Sequence, residues 1–137
     1  MRAADLPLYY NAIHILEHNL AERADKVALC SPSRTLTFRE VSDEVNQVAN
    51  ALRRLGLRLG DVVGVLAFDS PEWVTVFFGT LKIGAVSLGI NTLLTPAEHD
   101  FILRDSHCRV LVVQDTLWPA LEPVCANHPF VEQVIVI

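Results

Sequence analysis

Apolar positions along this chain change period several times, and each change marks an element. Asp61 to Phe68 is a short run of Val, Leu, Ala and Phe that ends at a helix-start signal: Ser70 as N-cap, Pro71 at the first helical position and Glu72 in the first turn. Val86 to Ile90 is a second short apolar run after Gly84, so the stretch from Asp61 to Asn91 reads strand, helix, strand. Such a βαβ unit sets its two strands parallel. In the enclosed helix Glu72, Thr75, Gly79 and Lys82 fall on one narrow stripe, while Trp73, Val74, Val76, Phe77, Phe78, Leu81 and Ile83 cover the other faces. A helix apolar nearly all round needs cover on nearly all sides. Burying those side chains is worth about 10 to 20 kcal/mol, more than a small domain readily supplies.

Upstream, Asn11 to Ala24 reads as a helix with Ile13, Leu16 and Leu20 on one side. Val27 to Cys30 and Thr35 to Phe38 are strand candidates joined by the turn Ser31-Pro-Ser-Arg34, which predicts a hairpin at the edge of the domain. Thr37 and Glu40 form a capping box, and Phe38, Val41, Val45, Val48, Leu52 and Leu55 recur at three and four in the amphipathic helix that follows. Its acids lie near the start, Arg53 and Arg54 near the end and Gly56 just beyond, as the helix dipole and C-cap prefer. Downstream, Thr95, Pro96 and Glu98 repeat the start signals for a helix to about Asp105. A strand is predicted at Val110 to Val113, a helix at Thr116 to Ala126 and a last strand at Val134 to Ile137. Alternation of strand and helix from Asp61 onward predicts an α/β fold: an open, mostly parallel sheet with helices on both faces, Rossmann- or flavodoxin-like, preceded by the N-terminal helix and the hairpin. The chain stops inside the apolar strand VIVI and reads as cut rather than finished.

A length of 137 residues suits one domain. The 51% hydrophobic content and mean hydropathy of +0.33 imply that part of the surface belongs against something else. A net charge of -5 and the absence of a basic run argue against nucleic acid and anionic membrane as partners. Cys30, Cys108 and Cys125 are odd in number and far apart with no CxxC, which reads as buried free thiols in a reducing compartment. The opening MRAADLPLYYN lacks the build of a secretory signal. Trp73 to Ile90 is broken only by Lys82, yet its two glycines and strand-like second half favour a soluble βαβ over a membrane span.

Candidate chemistry is sparse. His14-Ile-Leu-Glu17-His18 matches the HxxEH pattern of inverted zinc peptidases, but no convincing third ligand follows, and two surface histidines beside an apolar stripe is the better reading. Neither GxGxxG, GxxxxGK[ST] nor GxSxG occurs. Asp69 at a strand end lacks the acid pair and lysine of a phosphorylated receiver and reads as part of the turn into Ser70. His107 and Cys108, adjacent on a strand, point to opposite faces and make no dyad. Ligands of open parallel sheets gather at the carboxyl ends of the strands, here near Asp69-Ser70, Ile90-Asn91-Thr92 and Gln114-Asp115.

A succession of small motifs adds what spacing cannot: Thr37-Phe38, Asn46, Ala49, Ala51-Leu52, Gly60-Asp61, Ser70-Pro71-Glu72, Gly79, Leu81-Lys82, Gly84-Ala85-Val86, Asn91, Leu94-Thr95, Glu98, Leu103 and Asp105-Ser106. This segment resembles the N-terminal part of the AMP-forming adenylating superfamily, the acyl-CoA synthetases and their relatives. The opening LPLYYNAIHILEHNLAERADKVAL and the variant NTLLTP most resemble benzoate-CoA ligases. The resemblance implies a cytoplasmic parent enzyme that activates an aromatic carboxylate with MgATP to an acyl-adenylate and passes the acyl group to coenzyme A. The family's phosphate loop, substrate pocket, nucleotide contacts and C-terminal lysine lie beyond the matched region. No catalytic, cofactor-binding or metal-binding residue is therefore expected here, and the chain by itself is expected to be inactive, its partner being the remainder of the parent. Many relatives have Asn-Pro-Arg or Asn-Pro-Leu where this chain has Asn91-Thr92-Leu93; where the arginine occurs it can help bind the CoA nucleotide, and Leu93 cannot. The rival expectations are a free-standing flavodoxin-like binding or signalling module and a shortened relative without catalysis.

Overall fold

The computed structural model describes residues 10–137, so the first residues of the opening segment that carries part of the resemblance lie outside the described residues. Two short helical turns, α1 (His14–Glu17) and α2 (Leu20–Arg23), lead into a hairpin of β1 (Val27–Cys30) and β2 (Thr35–Thr37). Then follow α3 (Phe38–Arg54), β3 (Val62–Leu66), α4 (Pro71–Lys82), β4 (Val86–Gly89), α5 (Pro96–Asp105), β5 (Cys108–Val113), α6 (Trp118–Cys125) and β6 (Gln133–Val136). Strands β3 to β6 form one parallel sheet in the order β4-β3-β5-β6, and the hairpin is a separate antiparallel sheet. The α/β expectation holds, with helices on both faces. Leu52 of α3 and Val76 of α4 pack with Val63, Val65, Val110 and Val112 on one side. Leu103 of α5 and Leu121 of α6 pack with Leu66, Leu111 and Val113 on the other. Among the described residues no helix is long and apolar enough to cross a membrane.

The helix starts follow the local chemistry closely. Thr37 Oγ1 accepts from Glu40 N at 3.3 Å, and Glu40 Oε2 accepts from Thr37 N at 2.7 Å. Thr95 and Glu98 repeat that reciprocal pair, and Ser70 Oγ accepts from Trp73 N at 3.2 Å. The predicted helix from Asn11 to Ala24, by contrast, is broken. At Asn19 the side-chain Nδ2 donates to Ile15 O at 2.8 Å, the carbonyl that the Asn19 N–H would use in a continuous helix. The backbone N–H turns to Leu16 O instead, and the ladder stops. Ile13 and Leu16 are still buried, against Leu36, Val41 and Val45. The helix predicted from Thr116 begins two residues later, at Trp118, without a side-chain cap.

Helix α4 reverses part of the expectation. Its deepest positions are Thr75, Val76, Gly79 and Thr80, so the narrow stripe of small and polar residues is the contact face. Gly79 lies against α3 so closely that a Cβ there would stand 2.6 Å from Val48 Cγ1. Glu72 and Lys82, at the two ends of the stripe, reach Arg34 of the hairpin turn at 2.5 Å and Glu17 of α1 at 2.7 Å. Of the seven apolar residues only Val76 is buried; the other six are half-buried.

Candidate functional site

The carboxyl ends of β3 and β4 open onto a cleft of about 420 Å³. Its walls are the β3–α4 turn, Ala67 to Asp69, and the loop that leaves β4 at Ile90, with Trp73 from the first turn of α4 between them. Gly89 admits the indole: a Cβ on Gly89 would lie 3.3 Å from Trp73 Cζ2. Trp73 in turn stacks on Phe77, with ring centroids 5.4 Å apart. The loop is held in two ways. Asn91 Oδ1 accepts from Leu93 N at 2.9 Å, an Asx turn, and Asn91 O lies 2.9 Å from Nε2 of the buried His99 on α5. His99 Nε2 therefore carries the proton, and Nδ1, buried without a partner, is a bare acceptor.

Two of the three predicted ligand-gathering positions meet here, Asp69 and Ile90-Asn91-Thr92. The third does not. Gln114 and Asp115 tie β5 to the end of β6: Asp115 N donates to Ile137 O at 2.8 Å, and Gln114 Nε2 donates to the same carbonyl at 3.3 Å. Residues lining the cleft offer an aromatic wall, the Asp69 carboxylate and the polar side chains of Asn91 and Thr92, with no basic group among them. That donor set can hold a flat, uncharged or amine-bearing group, and it repels a polyphosphate. It contains no nucleophile paired with a base.

The HxxEH segment is used structurally. Glu17 Oε1 accepts from Lys82 Nζ at 2.7 Å while Oε2 stands 3.6 Å from His14 Nδ1, so the carboxylate ties α1 to α4. The thiols divide three ways, which corrects the reading of all three as buried: Cys30 is exposed, Cys125 half-buried and Cys108 buried. Cys108 lies where β5 carries one extra residue against β3, the pairing passing from Val62↔Cys108 to Val63↔Val110. Its Sγ accepts from Gly64 N and donates to Val110 O, each at 3.2 Å, and burial pushes the thiol pKa up to about 11. Leu93 is 88% exposed. Sequence reasoning missed His99; its spacing of four from the buried Leu103 on the same helix was the available signal.

Comparison with known proteins gives one consistent result. The family model described as AMP-binding enzyme matches residues 16–137. The benzoate–CoA ligase of Thauera aromatica is 36% identical over 137 residues, 98% of this chain and 26% of that protein. Among solved structures, the anthranilate CoA ligase AuaEII in complex with anthranoyl-AMP is 55% identical with a TM-score of 0.96 over all of this chain and 27% of its own. A benzoate CoA ligase from Burkholderia xenovorans LB400 is 26% identical with a TM-score of 0.86, over 94% of this chain and 26% of its own. The chain thus spans about a quarter of the length of each of these proteins.

Proposed function

The chain belongs to the AMP-binding enzyme family, and from that premise we propose that residues 1–137 form the N-terminal subdomain of an AMP-forming ligase that joins an aromatic carboxylic acid to coenzyme A. Acid, ATP and CoA give acyl-CoA, AMP and pyrophosphate, by way of an aryl-adenylate. The observation that carries this reading is the 55% identity, over the whole chain, to a ligase solved with an aryl-adenylate, anthranoyl-AMP. Benzoate and 2-aminobenzoate are the acids it favours.

Within that enzyme the chain acts as scaffold. The cleft at the carboxyl ends of β3 and β4 has the wrong donors for a nucleotide triphosphate, a carboxylate and no cation, so no catalytic step is assigned to it. ATP, Mg2+ and CoA are bound by the remainder of the parent, in the cytoplasm where these substrates occur. Family membership displaces the reading as a free-standing flavodoxin-like module. ATP–pyrophosphate exchange with benzoate and 2-aminobenzoate tests the proposal, on the 137-residue chain and on any longer product of the same reading frame. Exchange by the longer protein alone is the expected result. Exchange by the short chain, or a longer protein inert towards every aromatic acid, overturns it.

A further inference from the structure

His128 lies in the connection from α6 to β6, and its side chain is wholly buried, 0% exposed. Nδ1 accepts two backbone N–H groups, from Phe130 at 3.3 Å and Val131 at 3.1 Å, so the ring closes the turn that the intervening Pro129, without an N–H, cannot. With Nδ1 an acceptor, the ring proton sits on Nε2, which is buried without a hydrogen-bond partner, 3.7 Å from Asp100 Oδ1 of α5. One neutral imidazole thus closes the turn in the segment that feeds the outermost strand β6, with its Nε2 edge set against α5. The geometry points to a proton-operated latch: neutral His128 keeps the turn before β6 closed, and protonation of the ring releases it.

The reason is the occupancy of Nδ1. A second ring proton must go there, where two N–H groups already point, so the cation and the closed turn exclude one another. The charged and titratable neighbours do not rescue the cation. Asp100 favours it but is already engaged by Arg104 Nε at 2.8 Å, and Arg104 itself opposes it. The remaining groups facing this region are the half-buried Cys125 thiol at the end of α6 and His107, whose ring meets that of Phe130 at 4.3 Å. Burial first, then Arg104, holds the His128 pKa below its ordinary 6.5 against the pull of Asp100.

Amide hydrogen exchange by NMR tests the latch on this chain between pH 7.5 and 5.5. An open loop whose histidine titrates near ~6.5 gives about a tenfold rise in the opening of Phe130 and Val131 at pH 5.5, after correction for intrinsic exchange. Two further results are required. The rise must stay local, with low urea accelerating β3 and β5 amides but not these two. His128→Asn, whose Oδ1 can still accept the turn amides but which does not titrate, must flatten the response. Protection that persists while the His128 ring resonances show protonation overturns the proposal, as does an unchanged pH response in His128→Asn or an opening that tracks global unfolding.

Discussion

Thr80 and Ser87 show how one group buried under α4 has opposite consequences according to its partner. Thr80 Oγ1 donates to Val76 O at 2.8 Å and is satisfied. Ser87 stands in register beside Val63, which belongs to the apolar layer beneath α3 and α4, and its buried Oγ has no partner. An orphaned hydroxyl costs about 1 to 3 kcal/mol. Ser87→Ala is therefore expected to raise stability by about 1 kcal/mol, read as a higher urea midpoint with an unchanged slope; a loss of stability would mean that Ser87 has a partner, such as a bound water. Single residues of this kind are where the sequence was least legible. The extra residue in β5, the Cys108 thiol bridging the gap it leaves, and the Asn91–His99 contact all depend on register and on loop path, which apolar spacing does not encode. The cleft was foreseen only as a location, because the rule that ligands gather at strand ends names an edge and not the donors it presents.

Elements whose start signals act locally were legible to the residue. The capping boxes at Thr37–Glu40 and Thr95–Glu98 and the Ser70-Pro71 start are all present, since each is a contact between residues three apart. The N-terminal helix failed for an equally local reason, the Asn19 amide competing for the Ile15 carbonyl, which the apolar period at Ile13, Leu16 and Leu20 masks. Helix α4 failed differently: its apolar majority suggested that the apolar faces were the buried ones, whereas close approach to α3 requires small residues and so selects the Thr75–Gly79 stripe. Gly79→Ala decides whether that reading is right. Alanine gains about 1 kcal/mol of helix propensity over glycine. Its Cβ, however, would meet Val48 Cβ at 2.8 Å, an atom fixed to the backbone of α3 that cannot swing aside. Overpacking of this kind costs about 1 to 3 kcal/mol, so a net loss of up to about 2 kcal/mol is expected in equilibrium unfolding. A more stable Gly79→Ala would show that the two helices stand further apart.

Across the whole molecule the charged groups form clasps between elements, and their titration sets the shape of the acid limb of stability. Arg34 joins the hairpin turn to α3 and α4, and Arg109 joins the entry of β3 to that of β6 through Asp61 and Glu132. The carboxyls of Glu40, Glu98, Asp100 and Glu132 all lie below their ordinary values, the first two mainly through the N–H of Thr37 and of Thr95, Asp100 through Arg104 and Glu132 through Arg109. A carboxyl with a depressed folded pKa takes up its proton on unfolding before it does so in the native state. Its contribution is complete above the ordinary range of 3.8 to 4.5 and is lost as the pH falls through the folded value. His128 works in the same direction but earlier, because its folded pKa also lies below its ordinary value and its share of stability begins to fall below 6.5. The two contributions separate by mutation. Glu40→Gln with Glu98→Gln keeps a side-chain oxygen that can accept at each cap but removes the titrating carboxyl, so the double variant should be less stable than the parent at pH 7 and lose less of its stability below about pH 4.5. The limb that begins near 6.5 should be unchanged, since neither carboxyl touches His128. Urea midpoints measured from pH 7 to 3 would decide it: an acid limb as steep in the double variant as in the parent would place the linked protons on the interelement clasps rather than on the helix caps.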